Sequence, residues 1–294
     1  MTGAGGLVGA HIMHSLAQMS TIRPIGVVRR PLSDLVNGEQ VVVDLTVGNE
    51  CEELASLSPS VIVHAAAVLP NSLDDEHAAA ANTQIDSNIL ELAIACDARV
   101  IFVSSVSVYA NSALPWTEAS EIGPLPAYPA SKYATEKKIQ RLDAANYIMR
   151  ISSPYSATHQ GRQGVLYNFV RQAVAGQDLV VVGTGDRTQD FIHAQDIGSA
   201  VRLAVIRMVG HDASRFSDIY NIVNGSPISM RLLAEKIVNI CGAGRIVYSD
   251  DHGPANFYRA QLSRERAMAN LNWKPSVPIE PWYCTIGTSN ERLQ

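Results

Sequence analysis

The first half of the chain alternates short apolar runs with amphipathic stretches. The apolar runs span residues 24–29, 40–44, 60–65 and 100–104. Each is rich in Val or Ile and apolar on both faces, a pattern typical of strands buried in a parallel sheet. Between them, residues 6–19 and 85–98 carry apolar side chains at helical spacing. Strands that alternate with helices in this way predict βαβ units and an α/β fold with a Rossmann-type, doubly wound parallel sheet.

The second half of the chain has a looser pattern. It predicts helices at residues 168–175, 196–209 and 230–241, strands at residues 179–182 and 220–223, and loops at residues 152–164 and 183–190. Several prolines after Asp250 predict irregular structure there. Because no linker separates the halves, we expect a smaller C-terminal lobe packed on the sheet domain. The sheet domain should comprise residues 1–155 and about 190–225, and the lobe about 156–189 and 226–294.

Composition narrows the class of protein. The chain has 294 residues, a hydrophobic fraction of 47%, a charged fraction of 17% and a formal net charge of −5. A mildly acidic, folded chain with no basic run lacks the charge pattern of a nucleic-acid-binding protein. Its apolar stretches are too short to span a membrane, and no signal peptide is visible. The four cysteines form no CxxC pair, which predicts reduced core thiols, no metal site and a cytoplasmic location.

A glycine cluster stands at the beginning of the sequence. Gly3, Gly6 and Gly9 lie at three-residue spacing beside the first predicted helix. Glycine lets backbone N–H groups approach a pyrophosphate at a helix N-terminus, so this segment predicts a dinucleotide-binding sheet domain. Such a loop normally follows a strand, and only Met1 precedes Thr2. We therefore expect the first, usually central, strand to be missing, either because the true start lies upstream or because the sheet lacks its middle strand.

Two arginines end the first predicted strand. Arg29 follows Gly9 by 20 residues, close to the position where an acidic residue binds the ribose 2′-hydroxyl of NAD. Guanidinium groups suit a 2′-phosphate, so Arg29 and Arg30 favour NADP, with NAD as the alternative. A solvated basic strand end is the other interpretation of the pair.

Side chains that suit acid–base chemistry occur in two places. Tyr128 and Lys132 lie four residues apart at the start of a predicted helix, which places both on one face. A neighbouring ammonium favours the phenolate, so Tyr128 can exchange a proton with a substrate alcohol near neutral pH. Ser104 and Ser105 lie at the carboxyl end of a strand, where open α/β sheets bind ligands. A surface helix pair and strand-capping serines are the structural alternatives.

Several motifs, in order along nearly the whole chain, resemble the NAD(P)-dependent epimerase/dehydratase family of extended short-chain dehydrogenases/reductases. They are TGAGGLVG at residues 2–9, Asp44-Leu45, HAAA at 64–67, Asn82, SSVSVY at 104–109, YPASK at 128–132, RISSPY at 150–155, GDRTQDFIHAQDI at 185–197, YNIVNG at 220–225 and LNWKP at 271–275. Their joint order makes the resemblance specific, and it implies a nicotinamide cofactor.

The resemblance also implies roles for individual residues. Tyr128 would be the acid/base, Lys132 would bind the nicotinamide ribose and lower the pKa of Tyr128, and Ser105 would position the reacting oxygen. The pyrophosphate would contact Gly3, Gly6, Leu7 and Val8, the adenine would lie against Asp44 and Leu45, and the cofactor groove would be lined by Ala65, Ala66, Asn82 and Pro154. Without the resemblance, Asp44 would be interpreted as a residue that caps a strand and Asn82 as a residue that caps a helix.

One departure from the family pattern concerns dehydration. The 4,6-dehydratases of the family carry an acidic pair after the catalytic hydroxyl. Here Ser105 is followed by Val106 and Ser107. With no carboxylates to move protons during water elimination, we do not expect a 4,6-dehydratase. Ser107 instead matches a second hydroxyl position beside the substrate sugar.

Two further departures concern the substrate. The family often has Asn at the position of Ser153, and Arg at the position of Gln189, where that Arg commonly binds the substrate diphosphate. An amide cannot form the charge-assisted, bidentate bonds that Arg forms with phosphate. Either Arg187 and Arg259 take over this contact, or the substrate carries no diphosphate.

Two enzyme functions and one non-catalytic function fit these observations. The first is an NAD(P)-dependent oxidoreductase or epimerase that acts on a secondary alcohol or ketone of a nucleotide sugar. The arginine pair favours a reductase, and overall likeness to UDP-galactose 4-epimerases favours an epimerase. The second is a reductase of small non-nucleotide carbonyl compounds, and the third is a cofactor-binding protein without turnover. The resemblance also implies a homodimer formed through helices that contain residues 87–98 and 128–142.

Overall fold

Strands and helices alternate through the residues that the computed structural model describes, which are 1–33, 39–109, 113–157, 164–210, 216–250 and 259–279. Helices α1–α8 of this part of the chain are Leu7–Ala17, Gly48–Glu53, Glu76–Ala95, Ala127–Ile139, Val165–Val174, Ala194–Gly210, Met230–Cys241 and Glu265–Leu271. Strands β1–β12 are Gly26–Val28, Gln40–Val42, Val61–His64, Arg99–Ser105, Asn146–Ile151, Ser153–Tyr155, Asp178–Val182, Thr188–Gln189, Phe191–His193, Ser217–Ile222, Ile228–Ser229 and Arg245–Ser249.

A parallel sheet forms the larger domain. Four strands pair in the order β10–β5–β4–β3, and β1 pairs with β2, in every case in parallel. Val100, Ile101 and Phe102 of β4 are fully buried, so both faces of this strand are covered. The apolar runs that predicted strands in the first half of the chain all contribute to this sheet.

Met1 and Thr2 occupy the place between β1 and β3. Thr2 forms parallel bridges to Val27 and His64, and its N–H donates to the Val63 carbonyl at 2.9 Å. The Val27 N–H donates to the Met1 carbonyl at 2.7 Å. The two groups of strands are thereby joined in the order β2–β1–β3–β4–β5–β10. The first strand of a Rossmann-type sheet normally occupies this place. In the described residues, only Met1 and Thr2 represent it.

Helices cover both faces of the sheet. On one face, α1, α6 and α8 enclose a cluster that contains Ile12, Ile197 and Tyr147. On the other face, α3 and the end of α4 pack on Ile148 and Phe102. Successive residues of β5 therefore point to opposite helical layers, which confirms the doubly wound α/β fold. None of the helices described here is long and apolar enough to cross a membrane.

A smaller group of elements has its own core. Strands β7 and β12 form a parallel pair, and α5 and α7 pack on it around Phe169, Leu179 and Ile237. Leu7 of α1 and Phe191 of β9 belong to the same cluster, so this group packs directly on the sheet domain. The exact division at residues 156–189 and 226–294 stays a prediction.

The apolar pattern missed β5, β6, β8, β9, β11 and β12, and the predicted loops at residues 152–164 and 183–190 contain β6 and β8. Strand β5 contains Asn146 and Arg150, two buried polar residues that interrupt its apolar run. The Asn146 amide oxygen accepts a hydrogen bond from the Val100 N–H at 2.8 Å, and Arg150 is paired with Glu136. Strand β12 has no fully buried residue, so it lacks the alternation that marks a strand.

Candidate active site

One cleft contains most of the residues that carry candidate chemistry. It has a volume of about 1570 Å³ and opens at the carboxyl ends of β3, β4 and β5, the edge at which open α/β sheets bind ligands. The sequence-predicted site residues that line it are Gly3, Gly6, Leu7, Val8, Ala65, Ser105, Ser107, Tyr128, Lys132, Ser153, Pro154 and Gln189.

The glycine-rich loop forms one wall of the cleft and leads into α1. Gly3 has a φ of +70°, and a Cβ built there would lie 2.8 Å from the Ala66 backbone. A Cβ on Gly9 would lie 1.9 Å from the Gly3 carbonyl oxygen. The loop packs so closely on the end of β3 and on α1 that only glycine fits. Residues 6–8 then line the cleft at the helix N-terminus, where N–H groups favour a phosphate.

Ser105, Tyr128 and Lys132 come from two elements and line the same cleft. Ser105 ends β4, whereas Tyr128 and Lys132 lie one turn apart on α4. The Tyr128 N–H donates to the Leu73 carbonyl at 2.9 Å, which ties the start of α4 to the loop after β3. The Ser105 hydroxyl oxygen accepts a hydrogen bond from the Ser107 N–H at 3.1 Å. Tertiary structure thus brings together three groups that come from two separate sequence motifs.

Lys132 is buried, and its charge has a partner inside the protein. Its side chain is 2% exposed, and Nζ lies 3.6 Å from Asp86 Oδ1 and 4.9 Å from the centroid of the Phe102 ring. Burial raises the pKa of Asp86, but the Lys132 ammonium and His64 act against it and hold that pKa below its ordinary value. Asp86 belongs to none of the motifs found in the sequence. The feature that could have identified Asp86 is a carboxylate beside the apolar face of a predicted helix, where a charged residue is buried only when it is paired.

A second buried ion pair supports the strand that carries Ser105. The Arg150 guanidinium donates to both carboxylate oxygens of Glu136, with a shortest contact of 2.6 Å. The Ser104 hydroxyl donates to Glu136 Oε1 at 2.5 Å, and Arg150 Nη1 donates to the Tyr109 hydroxyl at 2.7 Å. Burial raises the pKa of Tyr109 to about 12, although Arg150 acts against it. This network joins β4, α4 and β5 at the wall of the cleft.

A group of polar side chains lines the cleft beside β6 and β8. Gln189 Nε2 donates to the Ser153 hydroxyl at 2.5 Å, and Arg187 Nη2 donates to Gln189 Oε1 at 2.9 Å. Arg187 itself lines the cleft. The Ser107 hydroxyl oxygen is buried there and has no hydrogen-bond partner within the described residues. The cleft wall therefore contains a guanidinium and a buried hydroxyl without a partner in this part of the chain.

Seven predicted site residues do not line this cleft. They are Arg29, Arg30, Asp44, Leu45, Ala66, Asn82 and Arg259. The Asn82 amide is fully buried, accepts from the Val68 N–H at 2.8 Å and donates to the Val68 carbonyl at 2.9 Å, so it fixes the loop after β3. Leu45 is buried in the core under β2. Arg259 does not line the cleft, although its neighbour Ala260 does.

Asp44 and the two arginines lie at adjacent strand ends. Arg29 and Arg30 follow β1 and are exposed, and Asp44 follows β2. Hydrogen bonds from the Thr46 hydroxyl and N–H lower the pKa of Asp44, and the charge of Arg29 lowers it further. Asp44 therefore caps the turn after β2 and is an acidic neighbour of Arg29.

Asp190 also lines the cleft, although its position in the sequence predicted no role for it. It is 3% exposed, and burial raises its pKa, although the Ser152 hydroxyl and the N–H groups of Asn224 and Ser226 donate to it. A single Asp in a predicted loop resembles an ordinary turn residue, so its burial had no local signal. In the described residues, no three His, Cys, Asp or Glu side chains are grouped as a metal site requires.

Comparison with known proteins adds independent findings. A model of the NAD dependent epimerase/dehydratase family matches residues 1–222. A putative UDP-glucose 4-epimerase from Methanocaldococcus jannaschii is 27% identical in an alignment of 303 positions. The alignment, gaps included, covers 95% of this chain and 94% of that protein. A dTDP-4-dehydro-6-deoxyglucose reductase from Escherichia coli is 28% identical over 189 residues, which cover 62% of this chain but 58% of the reductase.

The relatives also include a dehydratase. The dTDP-glucose 4,6-dehydratase of Streptomyces niveus is 25% identical and is matched over 61% of this chain and 53% of its own length, so relatedness alone does not exclude that reaction. Among solved structures, the UDP-glucose 4-epimerase of Thermotoga maritima with UDP-glucose has a TM-score of 0.83 at 20% identity. That likeness covers 97% of this chain and 96% of the epimerase, and it shows a shared fold.

Proposed function

The chain belongs to the NAD-dependent epimerase/dehydratase family, and on that premise we propose that it is a nucleotide-sugar oxidoreductase or epimerase. The reaction interconverts a secondary alcohol and a ketone by hydride transfer, with Tyr128 as the acid/base. One observation carries this proposal. Ser105, Tyr128 and Lys132 converge on the cleft that the glycine-rich loop also lines.

The residues of the cleft fit a nicotinamide dinucleotide. The space that a Cβ on Gly3 or Gly9 would need is taken up by backbone, so the loop keeps the close, side-chain-free path that a pyrophosphate site requires. Residues 6–8 bind the pyrophosphate, and Ala65 and Pro154 line the remainder of the groove. When bound, the nicotinamide supplies or accepts the hydride.

NADP is the favoured form of the cofactor. Arg29 and Arg30 are exposed at the end of β1, where their guanidinium groups are accessible to a 2′-phosphate. NAD is the alternative, which the family description supports. The charge of Asp44 next to Arg29 also supports NAD, because an acidic group weakens the attraction for a phosphate.

The protein's own groups handle the proton. Tyr128 donates its hydroxyl proton to the substrate oxygen or accepts a proton from it, depending on the direction of reaction. The Lys132 ammonium on the same face of α4 favours the phenolate and binds the nicotinamide ribose. The Ser105 hydroxyl, oriented by the Ser107 N–H, hydrogen-bonds the reacting oxygen.

A nucleotide sugar matches the polar groups of the cleft. The Arg187 guanidinium, oriented by its hydrogen bond to Gln189, binds the diphosphate. The unpartnered Ser107 hydroxyl is available for a sugar hydroxyl. We do not assign 4,6-dehydration, because Val106 and Ser107 place no carboxylate next to Ser105 to move the additional proton.

A binding experiment tests the cofactor assignment. The purified protein is titrated with NADPH and with NADH while nicotinamide fluorescence is followed. Tighter binding of NADPH supports the arginine pair as a phosphate site and a reductase as the activity. A preference for NADH, or NAD retained through purification, supports an epimerase. Failure to bind either dinucleotide overturns the proposal and favours a function outside nicotinamide chemistry.

A reductase of small carbonyl compounds is the second candidate, favoured by Gln189 at the position where the family often has Arg. Initial rates are compared for a nucleotide-linked ketosugar and for the same sugar without the nucleotide. Equal rates would replace the nucleotide sugar with a small carbonyl substrate. A homodimer and a cytoplasmic location stay predictions.

A further inference from the structure

We propose that Asp86 is a positioning residue that fixes the place and charge of Lys132 and thereby sets the pH at which Tyr128 exchanges its proton. The inference rests on the proposed function, in which Tyr128 and Lys132 act together. Asp86 lies on α3, outside the cleft lining, and acts on the substrate only through Lys132.

The carboxylate of Asp86 is completely enclosed by polar partners. It is 1% exposed, and Oδ1 lies 3.6 Å from Lys132 Nζ of α4 and 3.0 Å from His64 Nε2 of β3. Oδ2 accepts a hydrogen bond from the Thr135 hydroxyl of α4 at 2.8 Å. Both carboxylate oxygens are thus engaged by groups from two neighbouring elements, which holds the carboxylate in one orientation towards Lys132.

Stability alone does not account for this buried pair. Removing two charges from water costs free energy, and a well-packed apolar pair of similar volume often stabilises a protein at least as well. The proposed function nevertheless requires an ammonium next to Tyr128. Lys132 supplies it, because it lines the cleft one helical turn from Tyr128. A buried carboxylate behind that ammonium keeps it charged and in place.

The same carboxylate is connected to the glycine-rich loop. His64 Nδ1 lies 2.7 Å from the Thr2 hydroxyl, and the Thr2 hydroxyl oxygen accepts from the Ala66 N–H at 3.3 Å. Gly3 packs on that Ala66 backbone. One chain of contacts therefore runs from the dinucleotide loop, through His64 and Asp86, to Lys132.

Removal of the negative charge has an effect of known sign. The titratable groups that face Asp86 are Lys132 from α4 and His64 from β3, and the next carboxylate along α4, Glu136, is paired with Arg150 of β5. Without the Asp86 charge, the buried Lys132 ammonium loses the carboxylate that keeps it charged and in place. Lys132 then favours the Tyr128 phenolate less, so the pKa of Tyr128 moves up, by about one pH unit or more for the loss of a neighbouring positive charge.

The first test follows Tyr128 directly and needs no substrate. Tyrosinate absorbance of the full chain is titrated against pH, and the titration of the matching Tyr128→Phe protein is subtracted. Asp86→Asn should raise the Tyr128 midpoint by about one pH unit or more, because Lys132 is no longer held charged beside it. Thr135→Val is the matched control, because it removes a hydrogen bond to the same carboxylate and leaves the charge in place, so its midpoint should stay where it is. An unchanged midpoint in Asp86→Asn overturns the proposal.

The second test uses the reaction. The limb of the pH profile of kcat/KM that reports Tyr128 should move to higher pH in Asp86→Asn, whereas a merely structural role would lower the rate at all pH values without moving the profile. Absence of turnover in the unmodified protein overturns the proposed function, and the absorbance titration still decides the role of Asp86.

Folding of each variant is checked by circular dichroism and thermal unfolding. Should Asp86→Asn not fold, Asp86→Thr removes the same charge with a smaller polar side chain and takes its place in both tests. If both neutral variants unfold while Thr135→Val folds, Asp86 serves stability, and the proposal is wrong.

Discussion

Tyr128 and Lys132 lie one helical turn apart in different surroundings. Tyr128 borders the cleft at the start of α4, and Lys132 is buried against Asp86. A group that exchanges protons with a ligand needs access to it, whereas a group that holds a fixed charge benefits from enclosure, because a low dielectric strengthens its field. The two positions therefore suit the two proposed roles.

Replacement of Tyr128 by Phe tests the acid/base role. The change removes the hydroxyl and keeps the ring, so we expect kcat to fall by about 100-fold or more. NADPH affinity should stay near that of the unmodified protein. Initial rates with a nucleotide-linked ketosugar and a fluorescence titration measure the two quantities. An unchanged kcat would move the acid/base role to another group.

The double replacement Arg29→Ala, Arg30→Ala tests the phosphate site. Loss of charged hydrogen bonds to a 2′-phosphate should weaken NADPH binding by about tenfold or more and leave NADH binding nearly constant. Arg23→Ala is the control, because Arg23 is an exposed arginine paired with Glu39. Equal weakening for both dinucleotides would contradict a site specific for the phosphate.

His193 makes the stability of the protein sensitive to acid. Burial lowers the pKa of His193 from its ordinary value of 6.5, and the charge of Asp196 acts in the opposite direction. A lowered folded-state pKa contributes stability that is present above about pH 6.5 and is lost as the pH falls through the folded-state value.

Urea unfolding over a pH series measures this effect. The free energy of unfolding should fall as the pH drops below about 6.5, and it should fall less steeply in His193→Gln. The comparison concerns the slope, because the substitution also removes the ring contact of His193 with Tyr155. Identical slopes would show that His193 takes up its proton equally in both states.

At the scale of elements, β4, α4 and β5 are held together by the Glu136–Arg150 pair. Ser104, next to Ser105, donates to Glu136, and Glu136 lies one turn beyond Lys132. The pair thus connects the strand that carries the Ser105 hydroxyl with the helix that carries Tyr128. The relative placement of these two elements depends on a contact that contains no catalytic group.

Replacement of Glu136 by Gln tests the energetic weight of this contact. The variant leaves Arg150 as a buried charge without its carboxylate, so the free energy of unfolding should fall by about 3–5 kcal/mol. Lys138→Gln on the exposed part of α4 is the control and should have little effect. Urea unfolding provides the measurement, and a loss below about 1 kcal/mol would show that the guanidinium finds other compensation.

At the scale of the whole molecule, the cleft lies beside the place where the smaller group of elements packs on the sheet domain. The glycine-rich loop, β4 and α4 belong to the sheet domain, and Arg187 precedes β8, beyond the lobe strand β7. Leu7 of α1 also packs in the core of the smaller group. A ligand that binds in the cleft of the folded chain should therefore raise the free energy of unfolding.

Ligand-linked stabilisation tests this view of the molecule. NADPH at about 100 times its dissociation constant should raise the free energy of unfolding by about 2.7 kcal/mol. The same concentration should stabilise the Arg29→Ala, Arg30→Ala protein less, and Tyr128→Phe as much as the unmodified chain. Thermal unfolding over a range of NADPH concentrations measures the effect. A melting temperature independent of NADPH would contradict a dinucleotide site in the cleft.

Local patterns were sufficient for the fold class and for most of the side chains that line the cleft. Apolar runs with two covered faces identified the strands of the first half of the chain, because burial acts on each strand through its own side chains. The spacing of the glycines identified the loop, since close packing requires glycine at those positions. Tyr128 and Lys132 were paired from sequence because a helix places residues four apart on one face.

Tertiary structure alone decided which distant residues meet. Asp86 contacts Lys132 across two helices, and Arg150 meets Glu136 between a strand and a helix, so the spacing of residues within one element reveals neither pair. It also placed Asn82 against the loop after β3 and left Arg259 outside the cleft lining. Patterns report the burial of each residue, whereas the partner that compensates a buried charge depends on how the elements pack.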